Sequence, residues 1–258
     1  MNSIVDYEID ELKALKNKPA NLYYKGNLEL LKKPKISIVG TRKPFNYTQL
    51  LTHQLAQKLS LAGNCIVSGG AMGVDAISHK AAGVDNTILV SPCGINYKYP
   101  AINKKLITQI EQEGLLLSPF DEDFKATYYS FVQRNEIVVA LGDILIVTQA
   151  DLNSGSLRSV EYAKKMEKDI YVLPHRINES LGTNELIKEG SAKVIYDIEE
   201  FINEFTKTPI QKENSDDFLE FCKTNPTFDE ALLKYNSLVY EYELDGKIQI
   251  KNGFINLC

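Results

Sequence analysis

From residue 35 onward, short apolar runs alternate with longer amphipathic stretches. The runs are Ile36–Val39, Cys65–Val67, Thr87–Val90, Leu115–Leu117, Ile144–Thr148, Ile170–Leu173 and Lys193–Ile195. Most are apolar at nearly every position, not at every second one. That is the pattern of a strand buried on both faces. The stretches between them carry helical periods, as in Thr48–Ala62 and Ala101–Glu113, and are long enough for crossover helices. The alternation predicts an α/β fold, with a mostly parallel sheet covered by helices on both faces. Residues 1–34 are Lys-rich, contain Tyr23-Tyr24 and Gly26, and read as a lead-in packed on that domain.

Near residue 205 the pattern stops. The polar stretch FTKTPIQKENSDD contains Pro209 and reads as a linker. Two short helical segments follow, DDFLEFCKTN and TFDEALLKY, then a third in NSLVYEYELDG. A turn at Asp245-Gly246 leads to two strands around Asn252-Gly253, a hairpin signal. Three helices and a hairpin outline a winged helix. The expected division is a domain over 1–205, a linker over 206–215 and a small winged-helix-like C-terminal domain over 216–258.

Composition narrows the classes without choosing among them. A 258-residue chain with 44% hydrophobic residues can build its core without disulfides or a structural metal. Cys65, Cys93, Cys222 and Cys258 are scattered, with no CxxC pair, as expected for reduced thiols in the cytoplasm. The charged N-terminus does not read as a secretory signal. No run approaches the roughly 18 apolar residues of a membrane span. The formal net charge of −5 argues mildly against a polyanionic partner. That charge is uneven: between Asp197 and Asp245 stand 13 acidic and 4 basic residues, so the rest of the chain is net basic. Local field steers a polyanion, so the total does not exclude one.

In an open parallel sheet, ligands bind beyond the carboxyl ends of the strands. Five loops are expected there: Val39–Tyr47, Ser68–Asp75, Ser91–Pro100, Ser118–Glu136 and Gln149–Ser156. The second, SGGAMGVD, has the strongest physical case. Gly69 and Gly70 permit positive φ and close backbone approach. Successive N–H groups at a helix start attract an anion, and Ser68 and Ser78 could add hydroxyls. Its glycine spacing matches neither GxGxxG nor GxxxxGK[ST]. A tight turn with no ligand explains the same residues, with Asp75 complementing the helix N-terminus. The chain has four arginines, and Arg42 and Arg134 both fall in these expected loops. Guanidinium forks suit phosphate oxygens. Phe45, Tyr47, Tyr97, Tyr99, Tyr128, Tyr129 and Phe131 interleave with them, and aromatic rings beside cations suit single-stranded nucleic acid. Core packing is the competing explanation for the rings, especially Tyr99 and Phe131.

Catalytic patterns are thin. His53, His79 and His175 have no metal spacing, Ser68 is not in a GxSxG elbow, and Asp121–Glu122–Asp123 reads as a solvated run. No catalytic residue, metal ligand or cofactor is expected.

The motifs GTRKP, SGGAMGVDAISH, SPCGINYKYP, FVQRNEIVVAL, QADLNSGS and GTNELI stand in the order found in the DNA-processing protein A family, also called DprA or Smf. The resemblance covers roughly residues 20–200, and residues 216–258 resemble that family's winged-helix-like C-terminal domain. The IVSGGA and SPC spellings look most like epsilonproteobacterial members. The resemblance implies an extended Rossmann-like domain that binds single-stranded DNA without known catalysis. It also implies a cytoplasmic homodimer that protects incoming DNA in natural transformation. Its partners would be RecA, which it helps load, and single-strand-binding protein. Carried over by motif, the DNA pocket would use Arg42, Ser68, Gly69, Gly70, Gly73, Phe131 and Arg134, with Asn135 fixing its segment. Lys43 and Lys125 are the neighbouring cations. Glu136 stands where many relatives carry a cation. Tyr128 and Tyr129 stand where a basic residue can precede the Phe, so stacking should carry a larger share of affinity.

Two rival functions share the fold class. A Rossmann-like nucleotide phosphoribohydrolase would need a PGGxGT-type loop with a following acid, and QADLNSGS lacks the paired glycines. A nucleotide-binding sensor would be marked by mononucleotides competing with DNA. In the C-terminal segment, the candidate recognition helix NSLVYEYELDG carries Glu241, Glu243 and Asp245 and no cation. A protein contact or weak DNA binding is expected there in preference to sequence-specific duplex reading.

Overall fold

The structure, a computed structural model, describes residues 3–205, 215–236, 238–251 and 253–257. The chain divides into two compact units, Met1–Thr208 and Pro209–Cys258. Apart from Ser215, the expected linker 206–215 lies outside the described residues.

The first unit is built on a nine-stranded sheet. Seven strands match the apolar runs to within a residue at either end: β3 (Lys35–Val39), β4 (Cys65–Ser68), β5 (Thr87–Val90), β6 (Leu115–Ser118), β7 (Ile144–Val147), β8 (Ile170–Val172) and β9 (Lys193–Val194). All seven pair in parallel. The lead-in does more than pack on the domain: it supplies β1 (Ser3–Ile4) and β2 (Tyr23–Gly26), which extend the sheet antiparallel. Strand β2 lies along β6, Tyr23 opposite Ser118 and Gly26 opposite Leu115, and so covers an edge that would otherwise offer unpaired backbone groups. The strand order is β1-β2-β6-β5-β4-β3-β7-β8-β9. Connectivity runs one way from β3 through β4 and β5 to β6, and the other way from β7 to β9. Its switch point therefore lies between β3 and β7.

Alternate residues of the central strands enter opposite cores, as period-two geometry requires. Ile88, Val90, Leu115 and Leu117 join one core with Ile137–Leu141, Val160 and Ala163, whereas Leu89 and Leu116 join another with Leu106, Ile107 and Ile110. Helices α4 (Tyr128–Leu141) and α5 (Gly155–Lys165) supply the first core. Helix α3 (Lys104–Glu113), after a 3-10 turn at Ala101–Asn103, supplies the second; α2 (Val74–Ala82) adds Ala76 to it. Helices α1 (Asn46–Leu61), α6 (Leu181–Lys188) and α7 (Ile198–Phe205) complete the unit.

One expected loop is shorter than Ser118–Glu136 suggested. Thr127 accepts the N–H of Ser130 on its side chain while the Ser130 hydroxyl accepts the N–H of Thr127. This reciprocal cap starts α4 at Tyr128 and places Phe131 and Arg134 on a helix, not in a loop.

The second unit contains α8 (Ser215–Cys222), α9 (Phe228–Tyr235), α10 (Leu238–Leu244), β10 (Ile248–Lys251) and β11 (Phe254–Leu257). The two strands pair antiparallel, Lys251 opposite Phe254. Phe218, Cys222, Ala231, Val239, Tyr242, Ile248 and Ile255 form its own small core.

Candidate nucleic-acid interface

Three chain segments at the carboxyl ends of β3, β4 and β5 converge with the first turns of α4. Their backbones touch. Gly73 has φ +76°, and a Cβ there would fall within 2.4 Å of the Thr41 carbonyl oxygen and 2.7 Å of Arg42 backbone atoms. The Val74 N–H donates to the Thr41 carbonyl at 3.2 Å. Only glycine lets the start of α2 seat under the 40–45 loop this closely. Gln149, beyond β7, holds the same loop from the other side. Its backbone carbonyl accepts the Thr41 N–H, and its side-chain oxygen accepts the Phe45 N–H and the Thr48 hydroxyl. Arg42 is thereby carried on a braced loop and is exposed to solvent.

The resulting cleft is lined by Arg42, Gly69, Ala71, Met72, Pro92, Tyr99, Pro100, Phe131 and Arg134. Phe131 lies between its two arginines. The Arg42 guanidinium carbon lies 5.7 Å from the ring centroid, that of Arg134 lies 6.0 Å away, and Tyr99 meets the ring edge-to-face at 5.5 Å. The free space enclosed is about 30 Å³, room for about a water molecule and far less than a buried nucleotide needs. What the cleft offers a larger ligand is its rim: a cation, a ring and a glycine backbone.

Arg134 and the glycine loop are turned inward. Arg134 is 4% exposed. Its Nη1 donates to the carbonyls of Gly69 and Val90, and its Nε donates to Asn135 Oδ1 at 2.9 Å. A Cβ at Gly69 would lie 2.2 Å from that guanidinium. Asp75, also buried, accepts the Ala71 N–H at 3.2 Å. Burial pushes its carboxyl up, while the Arg134 guanidinium and the Ala71 and Gly69 N–H groups draw it back. Part of the expected anion nest thus closes on the chain's own carboxylate. Asn103 braces the loop from outside, its amide donating to the carbonyls of Gly70 and Ala71.

The candidate residues therefore separate by position. Arg42, Gly69, Phe131 and Arg134 meet in the cleft. Gly70 and Gly73 shape the loop behind it at positive φ. Asn135 fixes Arg134. Lys43 and Lys125 are exposed and do not line the cleft. Ser68 is wholly buried and donates its hydroxyl to the Ile38 carbonyl at 2.7 Å, and Ser78 donates to the Val74 carbonyl. Neither hydroxyl faces a ligand. No sequence signal marked Asn103, whose brace on the glycine loop depends on the 91–103 segment folding back.

The histidines are tied into the fold. His79 is fully buried, and burial, helped by the charge of Arg134, lowers its pKa to about 3. Thr87 Oγ1 donates to the Ile66 carbonyl, so the 2.7 Å contact with His79 Nδ1 places the ring proton on Nδ1. His175 donates from Nε2 to the Thr148 carbonyl at 2.7 Å and meets Tyr47 edge-to-face. Among the described residues, no three His, Cys, Asp or Glu side chains gather as a metal site would require. No helix among them is long and apolar enough to cross a membrane.

This geometry has relatives. DNA processing protein A from Helicobacter pylori, described for its single-stranded DNA binding mode, superposes with TM-score 0.78 at 44% identity, covering 80% of this chain and 95% of that one. DprA from Streptococcus pneumoniae superposes with TM-score 0.72 at 32% identity, covering 79% and 74%. In sequence, the Bacillus subtilis DprA is 33% identical over 205 residues, covering 78% of this chain and 69% of its own. Protein Smf of Synechocystis is 34% identical over 185 residues; the match covers 69% of this chain but only 46% of that protein. The Helicobacter likeness bears out the resemblance to epsilonproteobacterial members. The model of the family described as DNA recombination-mediator protein A matches residues 6–206, which span strands β2 to β9 and every segment of the cleft. The chain therefore belongs to the DNA recombination-mediator protein A family.

Proposed function

We propose that this protein is a single-stranded DNA-binding recombination mediator that acts without catalysis. The observation that carries the reading is Arg42, exposed on a braced loop, with its guanidinium 5.7 Å from the Phe131 ring at the mouth of the glycine cleft. A cation and an adjoining ring at an open rim match a phosphate and its base on a strand that runs past the site. The N–H groups of Met72 and Gly73 find no acceptor among the hydrogen bonds of the described residues and are left as free donors. Similarity to the Helicobacter protein supports single-stranded DNA as the ligand. The small enclosed volume weighs against a sensor that buries a whole nucleotide.

On this reading the DNA-contacting set is Arg42, Gly69, Phe131 and the adjoining cations Lys43 and Lys125. Arg134 and Asn135 hold the set in place. The protein works in the cytoplasm, protects incoming strands and passes them to RecA, as a homodimer that also meets single-strand-binding protein. Residues 1–205 form the DNA-binding domain. Residues 216–258 form a winged-helix-like domain whose acidic third helix suits a protein partner.

The test is oligo-dT binding by Arg42→Ala. Affinity is expected to fall at least about tenfold, about 1.4 kcal/mol, with the thermal midpoint unchanged. Unaltered binding in a mobility-shift titration would remove Arg42 from the site. Competition by mononucleotides at similar concentration would favour the sensor instead.

A further inference from the structure

The four arginines have different surroundings. Arg134 is a buried strut, and Arg176 pairs with Glu179 at 3.7 Å. Arg42 and Arg158 are exposed and make no ion pair among the described residues. Both stand beside aromatic rings near the start of α4. Arg42 faces Phe131, and Arg158 reaches from α5 to donate from Nη2 to the Tyr128 hydroxyl at 2.6 Å.

Tyr128 and Phe131 are three residues apart on one helix, so they share a face with Cβ atoms about 5–6 Å apart. An unstacked dinucleotide step can bridge that separation. Tyr128 is 64% exposed and Tyr129, edge-to-face with it at 5.8 Å, is 81% exposed. Together they form an open aromatic pair beside Arg158 at the start of α4, and an aromatic face next to a cation is what base stacking uses. The Arg158 guanidinium carbon is 5.4 Å from the Tyr128 centroid while its nitrogen touches the hydroxyl. It therefore sits at the hydroxyl end and leaves the ring centre uncovered. The ring is held in orientation by a cation that has four further N–H donors.

We propose that Tyr128 and Arg158 form a second nucleotide subsite, next to the Arg42–Phe131 position and continuous with it. The neighbouring base stacks on Tyr128, and its phosphate is met by the remaining donors of Arg158. The inference rests on the single-stranded DNA reading above and adds a nucleotide to it. The alternative is a staple that only ties α4 to α5, and salt dependence separates the two. Each phosphate contact to a single strand contributes about 0.7 to the slope of log K against log salt. A staple contributes nothing to it.

The experiment is fluorescence-anisotropy binding of labelled oligo-dT to the full-length protein and its Arg158→Ala, Tyr128→Ala and Tyr128→Phe variants at several salt concentrations. Folding is checked by circular dichroism. Arg158→Ala is expected to lower the salt slope by about 0.7. Tyr128→Ala is expected to weaken binding about tenfold with a smaller change of slope. Tyr128→Phe keeps the stacking face and should stay within about threefold of wild type. Folded Arg158→Ala and Tyr128→Ala variants that keep wild-type affinity and slope would overturn the second subsite while leaving the Arg42 site standing. A wild-type protein that does not bind oligo-dT would overturn both.

Discussion

At the scale of single residues, the cleft assigns different work to two arginines that look alike in sequence. Among the described residues Arg42 makes no side-chain hydrogen bond or ion pair, so its loss should touch ligand and not stability. Arg134 is the opposite case. Its removal leaves Asp75 buried without the charge that offsets desolvation, and frees the carbonyls of Gly69 and Val90. Leaving a buried acceptor without its donor costs about 1–3 kcal/mol. Urea denaturation of Arg134→Met should show a loss of that order; a midpoint like wild type would contradict the strut role. His79 makes a second residue-scale prediction. Its folded pKa, about 3, lies below the ordinary 6.5. The unfolded chain then binds the proton that the native protein refuses, so stability is present above the unfolded pKa and falls as pH drops below it. Through that window His79 contributes a slope of about 1.4 kcal/mol per pH unit. Asp75, with its pKa raised, works in the opposite sense as pH rises. The difference between wild type and His79→Gln, measured between pH 7 and pH 4.5, isolates the His79 share and should shrink steadily toward acid.

Among the elements, α4 bears most of the consequence. Its C-terminal part, Ile137 to Leu141, is built into the core, while its first two turns carry Phe131 and Arg134 into the cleft and Tyr128 beside it. The Thr127–Ser130 cap decides where those turns begin. Thr127→Ala should cost about 1 kcal/mol and weaken oligo-dT binding as well, because the fraying turn holds the stacking rings. A similar cap, Thr227 with Glu230, starts α9 in the second unit. Thr227→Ala should cost a similar amount without affecting binding, and serves as the control. The FVQRNEIVVAL motif marked part of this element in the sequence, but only as a shared motif and not as a helix. The expected loop runs on to Glu136, well past the helix start at Tyr128, because Tyr128 to Asn135 mix aromatic, polar and charged residues without helical periodicity. The cap hydrogen bonds, not the pattern, define the start.

For the whole molecule, the two units differ in charge and core. The acidic stretch from Asp197 to Asp245 lies mostly in the second unit, and Glu241, Glu243 and Asp245 surround the end of α10. A like-charged strand should gain little there. A chain ending at Thr208 should therefore bind oligo-dT within about twofold of the full protein at physiological salt. A larger loss would assign the second unit a direct share in the DNA. Sequence alone pointed to a mostly parallel sheet, because short, continuously apolar runs alternating with amphipathic stretches fit strands buried on both faces under crossover helices. It also marked Arg42, the glycine loop and Phe131 as parts of one site, through the order of the motifs. Tertiary structure decided three things. Strands β1 and β2 are too short and mixed to announce themselves, and are held by the edge of β6. Ser68 and Arg134 turn inward, because the buried Asp75 and the bare carbonyls behind the glycine loop need partners more than solvent does. Arg158 joins Tyr128 although thirty residues separate them, because α4 and α5 pack side by side on one face of the sheet.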